Sequence, residues 1–264
     1  FRNLGGIAEL NRDVPAKKSS LTTRARLTQV SEAGDMIIEH FDFQILLSRQ
    51  MIYQGRTHFG FFTRKALAEQ VGLQQIDMSR YAMPQDSTTR RQMAMPDHAP
   101  MTPDDVSGHV HGHAVMPGRA IRMIDHIDAY SPEGGPHGCG IITASKEVLP
   151  GEWFFDAHFM DDPVCPGSLG LESLIQVLKF IALDRWPHLA DDHCFTLKSD
   201  IRHQWTYRGQ ITPESGRIEL IAVLTNVVGK PFPMLTADSL LTVDGLPIYH
   251  MEQFSIGLIP TTHR

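Results

Sequence analysis

Between residues 169 and 183 apolar side chains fall on nearly every side of a helical projection: Leu169, Leu171, Leu174, Ile175, Val177, Leu178, Phe180, Ile181 and Leu183. A helix that is apolar almost all round has no face for water and must be enclosed. Ser168 is the expected N-cap, and Trp186-Pro187 ends the helix. The residues that follow read as strands over 194–208, 217–228, 233–243 and 247–258, with Asp244-Gly245 as the turn between the last two. An enclosed helix followed by consecutive strands predicts an α+β fold in which an antiparallel sheet wraps around that helix.

Residues 1–63 also carry strand patterning, as in Ile37-Ile38-Glu39-His40-Phe41-Asp42-Phe43. They repeat the end of the chain. Leu27-Thr28-Gln29-Val30 returns as Leu224-Thr225-Asn226-Val227, Ile52-Tyr53 as Ile248-Tyr249, and Phe59-Gly60-Phe61 as Ile256-Gly257-Leu258. The offsets of 197, 196 and 197 keep one register, which predicts a duplicated sheet. The first copy lacks a helix, so 1–63 reads as the back half of a second unit. It is expected to pair with or pack beside the other sheet and to contribute no catalytic residue. After a short helix at 65–71, residues 64–112 read as a linker rich in Met, Pro, Asp and Ser. Residues 113–264 read as the complete unit.

Composition excludes several classes. Lys and Arg number 24 against 30 Asp and Glu, so the basic surplus of a nucleic-acid binder is missing. No apolar run approaches the length of a membrane span. Three cysteines at unrelated spacings (Cys139, Cys165, Cys194) suit free thiols in a reducing compartment, and a cytoplasmic location is expected. A chain that starts at Phe1 with no signal pattern reads as a piece of something longer. Neither a GxGxxG nor a P-loop pattern occurs. His109-x-His111-x-His113 lies among glycines with no carboxylate at ligand spacing, so it reads as polar linker and no metal is expected.

Chemistry concentrates in one stretch. His158 precedes the tight turn Asp161-Asp162-Pro163-Val164-Cys165-Pro166-Gly167, and Glu172 follows in the first turns of the helix. The N–H groups that open a helix are unpaired and point outward, and Gly167 would let a carbonyl approach them. Base, acid and oxyanion donor are the parts needed to remove a proton beside a carbonyl and expel a hydroxyl. Each also has a plainer explanation. A histidine beside a helix is commonly a packed core residue, and a first-turn Glu commonly serves the helix dipole. Gln176, one turn on, could hold Glu172. The residues alone leave both readings open.

The run His158-Phe159-x-x-Asp162-Pro163-Val164-x-Pro166-Gly167-x-Leu169-Gly170-Leu171, followed by an acid, resembles the signature of the β-hydroxydecanoyl-ACP dehydratase family. Trp153-Phe154-Phe155, Gln176 and Arg122-Met123-Ile124-Asp125-His126 match it too, and the likeness covers roughly 115–260. The partial copy at 1–63 is similar to the tandem dehydratase regions of polyunsaturated fatty acid synthases and related polyketide-type synthases. The resemblance implies a hotdog fold, one complete unit plus part of a second. It implies dehydration of a (3R)-3-hydroxyacyl thioester on an acyl carrier protein to the trans-2-enoyl thioester. His158 would be the base, Gly167 N–H the carbonyl donor, Glu172 the acid with its pKa raised by burial, and Gln176 its support. Phe159, Val164 and Leu169 would line the acyl tunnel, with Cys165 as a further wall residue, and Asp162 would shape the turn. No cofactor is implied beyond the carrier's own phosphopantetheine. Paired units would place active sites at their seam, with base and acid from different units, in a homodimer or pseudo-dimer. The family's isomerising members carry Asp where Glu172 stands, so the resemblance leaves isomerisation open. The rival readings are a hotdog thioesterase and a non-catalytic scaffold that docks carrier proteins.

Overall fold

The computed structural model describes residues 1–12, 20–34, 36–84, 91–94, 114–117 and 121–261. The His109, His111 and His113 reading lies outside these residues. Among the described residues twelve strands form one antiparallel sheet: β1 (Arg2–Leu10), β2 (Leu21–Ala33), β3 (Met36–Leu47), β4 (Gln50–Phe61), β5 (Arg91–Ala94), β6 (His126–Ser131), β7 (Ile141–Glu147), β8 (His193–Leu197), β9 (Arg202–Tyr207), β10 (Arg217–Val228), β11 (Met234–Val243) and β12 (Leu246–Pro260). The α-helices among them are α1 (Arg64–Ala68), α2 (Trp153–Ala157) and α3 (Gly167–Arg185).

Helix α3 is the enclosed one. Leu174, Val177, Leu178 and Ile181 are fully buried, and the helix lies against β10, β11 and β12. Their inward residues Leu220, Ala222, Leu224, Leu235, Ala237 and Leu241 join it in one core. Truncating a side chain such as Leu178 to Ala would cost about 2–5 kcal/mol, because a core this closely packed cannot collapse onto the void. The helix opens with Pro166 as N-cap, whereas Ser168 stands inside the first turn and caps nothing. Proline fixes the entry φ, so no hydroxyl is needed there. Trp186 closes the helix ahead of Pro187.

The strand order is β2-β3-β4-β1-β9-β12-β11-β10-β7-β6-β5. Its first eight members read alike from both ends once β1–β4 are matched to β9–β12. The duplication seen in the sequence is therefore a pseudo-twofold in the sheet. Its axis passes through the β1–β9 ladder, where Ile7 pairs with Gln204, its own counterpart at an offset of 197. The two copies even share an irregularity. The β2–β3 ladder slips between Leu27 and Gln29, and the β10–β11 ladder between Leu224 and Asn226, at the repeated Leu-Thr-x-Val. A bulge of this kind re-aims the strand and deepens its twist. The copies differ in cover: Leu224 is fully buried under α3, while its counterpart Leu27 is 50% exposed.

Two expectations are corrected. The stretch 194–208 is two strands, β8 and β9, separated at Asp200, whose φ is +61°. The break lets β12 pair with β8 along its last residues and with β9 along its middle. The stretch after α1 is not simply a polar connection. Leu73, Ile76, Tyr81 and Met83 pack on Ile141, Val223 and Leu240, the outer face of β7, β10 and β11. Arg80 pairs with buried Asp238 at 2.8 Å, and Tyr81 Oη lies 2.8 Å from His250 Nε2. Asp244 and Gly245 both have positive φ, as the tight β11–β12 hairpin requires.

Candidate active site

His158 caps the C-terminus of α2, its N–H bonded to the Phe154 carbonyl at 2.9 Å. Phe154 and Phe155 are buried and anchor that helix. The chain then makes a compact loop closed by Val164 N–H donating to His158 O at 2.8 Å and Phe159 N–H to Asp162 O at 3.1 Å. The His158 ring adds a bond of its own: Nδ1 lies 2.9 Å from the Val164 carbonyl oxygen. A carbonyl can only accept, so Nδ1 carries the hydrogen and the neutral ring keeps a lone pair on Nε2. That is the tautomer a base requires.

His158 lines a cavity of about 330 Å³ at the seam between the copies. Phe159, Val164, Cys165, Gly167, Tyr207 and Tyr249 come from one side; Phe1, Arg2, Asn3 and Phe59 come from the other. The first copy is expected to contribute no catalytic residue, and what it brings here is wall: β1 and β4 carry Arg2, Asn3 and Phe59 to the cavity. The expectation for Leu169 is corrected. It lines neither this cavity nor the one holding Glu172, and packs instead against the core beneath the helix start. Burial pushes the Cys165 thiol up to about 12, so it stays protonated and acts as wall.

Gly167 is the first residue of α3, where the helix offers its N–H no acceptor. The space a Cβ would occupy is filled by the Tyr207 ring, 2.6 Å away, and Tyr207 Oη donates to the Gly167 carbonyl at 2.9 Å. The glycine here therefore admits an aromatic ring, where the sequence suggested room for a ligand. Tyr249 packs on Tyr207 with ring centroids 4.3 Å apart. Desolvation raises both phenols well above their ordinary value.

Glu172 lines a different cavity, of about 350 Å³, with no wall residue in common. Leu10, Ile45 and Tyr53 of the first copy face Leu171, Ile175 and Phe254 of the second there. The two cavities exchange under the pseudo-twofold: Leu10 is the counterpart of Tyr207, and Tyr53 of Tyr249. Gln176, fully buried, holds Glu172 Oε1 through Nε2 at 3.1 Å. The same amide donates to Ile121 O at 2.7 Å and accepts from Met123 N–H at 2.8 Å. The enclosed carboxyl expected from sequence is not found. The Glu172 side chain keeps 24% exposure, with Lys179 Nζ 3.9 Å away. His203 also lines this cavity, but its Nε2 is engaged by Tyr53 Oη at 2.8 Å. Burial lowers the His203 pKa and pushes Tyr53 up to about 12, so the phenol donates to a neutral ring.

Asp162 does more than shape a turn. Asp161, at φ +60°, takes the turn's strained position, and Asp162 reaches across the seam to Arg2 at 2.7 and 2.8 Å. That contact pulls its pKa down. No signal in the sequence ties residue 2 to residue 162. Among the described residues no group of three or more His, Cys, Asp or Glu is placed to hold a metal ion.

Comparison with known proteins decides the family. Residues 116–252, over half of the chain, match the FabA-like domain. The chain belongs to that family. This FabA-like domain is also 30% identical, over 98% of its length, to a polyunsaturated fatty acid synthase polypeptide of Thraustochytrium sp.. It spans 18% of that much longer relative. Among solved structures it resembles the CurJ dehydratase (TM-score 0.50, 10% identity, 99% of this chain and 76% of that one). It also matches an acyl-CoA thioesterase II from Mycobacterium marinum (TM-score 0.48, 11% identity, 100% and 82%). The fold is a hotdog. No helix among the described residues is long and apolar enough to cross a membrane.

Proposed function

We propose that this domain dehydrates a (3R)-3-hydroxyacyl thioester, carried on the phosphopantetheine of an acyl carrier protein, to the trans-2-enoyl thioester. The observation that carries the reading is the His158 ring, held through Nδ1 by the Val164 carbonyl so that Nε2 keeps its lone pair, in one seam cavity with Gly167, which opens α3. His158 Nε2 takes the proton from the α-carbon. The C–H electron pair enters an enolate whose oxygen accepts from Gly167 N–H, favoured by the helix dipole. The pair then forms the α–β double bond as the β C–O bond breaks, and a carboxylic acid protonates the departing hydroxyl to water.

Within one chain the acid and base stand in separate cavities. Each half-site is therefore completed by another hotdog unit, which supplies an acid opposite His158 and a base opposite Glu172. The half-exposed Leu27 on the uncovered first copy marks where a second α3-like helix would pack. The unit comes from a second copy of the chain or from neighbouring synthase sequence. Gln176 orients Glu172, and no cofactor takes part in this scheme.

The test is turnover of 3-hydroxyacyl thioesters on carrier protein, following both the conjugated enoyl product and free thiol. Enoyl product that disappears in His158→Ala supports dehydration. Thiol release without enoyl product would make the domain a thioesterase, and neither product would leave a scaffold.

A further inference from the structure

Arg2 is bound as tightly as a guanidinium can be. Its Nε donates to Gln210 Oε1 at 2.9 Å, and Nη2 donates to the same oxygen at 2.7 Å and to Asp162 Oδ1 at 2.8 Å. Nη1 donates to Asp162 Oδ2 at 2.7 Å and to the Phe1 carbonyl at 2.9 Å. Five N–H groups meet five acceptor contacts, so nothing is left for solvent, and the side chain is only 10% exposed. Surface arginines lose entropy for little gain when held this way. A buried, saturated fork is a built contact, and its planar bidentate grip on a carboxylate is one a lysine cannot copy.

What it grips matters. Asp162 sits in the loop between His158 and Val164, beside Asp161 at positive φ. That loop is held by Phe159 N–H to Asp162 O and by Val164 N–H to His158 O. The Val164 carbonyl in turn fixes the imidazole. A strained residue persists where its surroundings over-determine it. Arg2 supplies that from the other copy, through β1, and lines the same cavity as His158.

We infer that Arg2 is a positioning residue: it locks the loop through Asp162, so that the Val164 carbonyl holds His158 with Nε2 facing the cavity. The inference rests on the dehydratase reading for its kinetic part and stands apart from it for its structural part. It makes catalytic geometry conditional on the first copy's sheet being in place.

The experiment compares Arg2→Gln, Arg2→Lys and Asp162→Asn with the unaltered chain by two readouts. One is the ¹⁵N signature of the His158 ring, which reports the Nδ1–H tautomer whether or not the protein is a dehydratase. The other is enoyl formation. Arg2→Gln should mix the tautomers and lower kcat by about tenfold to a hundredfold with KM little changed, since displacing a catalytic group by about 1 Å costs up to about 10². Arg2→Lys keeps the charge but not the fork, and should recover less than half of the loss. Asp162→Asn should give the same tautomer change from the other side of the contact, which covers the case of an Arg2 variant that does not fold. An unaltered His158 signature in Arg2→Gln and Asp162→Asn would overturn the inference. A changed signature in a protein without dehydratase activity would keep the clamp and sink the reaction.

Discussion

Ile7 pairs with Gln204 across the β1–β9 ladder, and the two are equivalents in the duplicated sequence. The pseudo-twofold through that pair relates the His158 cavity to the Glu172 cavity. One chain thus holds His158 in one cavity and Glu172 in the other, and under the proposed function a second unit would complete each.

Removing the base should stop the proposed reaction. His158→Ala is expected to lower enoyl formation by about 10² to 10⁴, the usual contribution of a general base. Far-ultraviolet circular dichroism should be unchanged, because the ring bonds to its own loop and is only half-buried. Retention of more than about a tenth of the activity would remove His158 from the mechanism.

Gly167→Ala would place a methyl group 2.6 Å from the Tyr207 ring. Overpacking of this kind costs about 1–3 kcal/mol. Denaturant unfolding should show that loss, and Tyr207→Leu in the same chain should restore part of it by vacating the space. If the alanine variant is as stable as the parent, the ring is not what demands glycine.

The enclosure and the end of α3 are legible in the sequence, because an all-round apolar pattern has one physical solution and Pro187 has one consequence. Its start is not, because Pro166 takes the place expected of Ser168. The duplication is legible because the bulge at Leu27 and Leu224 constrains the same Leu-Thr-x-Val in both copies. The break at Asp200 is not, since 194–208 is patterned like strand throughout and the interruption answers to β12, which must serve two partners. The reason for a glycine at 167 is misread on similar grounds: a glycine announces a close approach but not what approaches, and here it is the Tyr207 ring. Arg2 with Asp162, and Tyr207 with Gly167, are tertiary pairs, and nothing local to either partner reveals them.

Gln176→Leu should be costly although the change is nearly isosteric. It leaves the Met123 N–H and the Ile121 carbonyl without their buried partner and frees Glu172. The stranded Met123 N–H, which is buried, costs about 1–3 kcal/mol. Thermal unfolding should shift down clearly, with Glu172→Gln far milder because that side chain is partly exposed. Equal shifts in the two variants would show that Gln176 serves Glu172 and not the 121–123 segment.

Stability should fall on mild acidification. Burial is the leading cause of lowered pKa values at His203, His250 and His58. At each, the unfolded chain takes up a proton near the ordinary value of 6.5 while the folded chain still refuses it. Unfolded protein then binds more protons than native protein, so unfolding free energy drops as pH falls through 6.5 and stops dropping once the folded rings titrate. Above that window the contribution is fully present. At His250 the neutral ring accepts from Tyr81 Oη, so acid also loosens the segment that straps the outer face. At His203 the partner is Tyr53, which ties the first copy to the Glu172 cavity. Urea unfolding at about pH 7.5 and about pH 5.5, on either side of the ordinary histidine value, should therefore separate. His203→Gln should narrow the gap by removing one titrating ring while keeping an acceptor for Tyr53. A gap of the same size in His203→Gln would show that this ring does not titrate differently on folding.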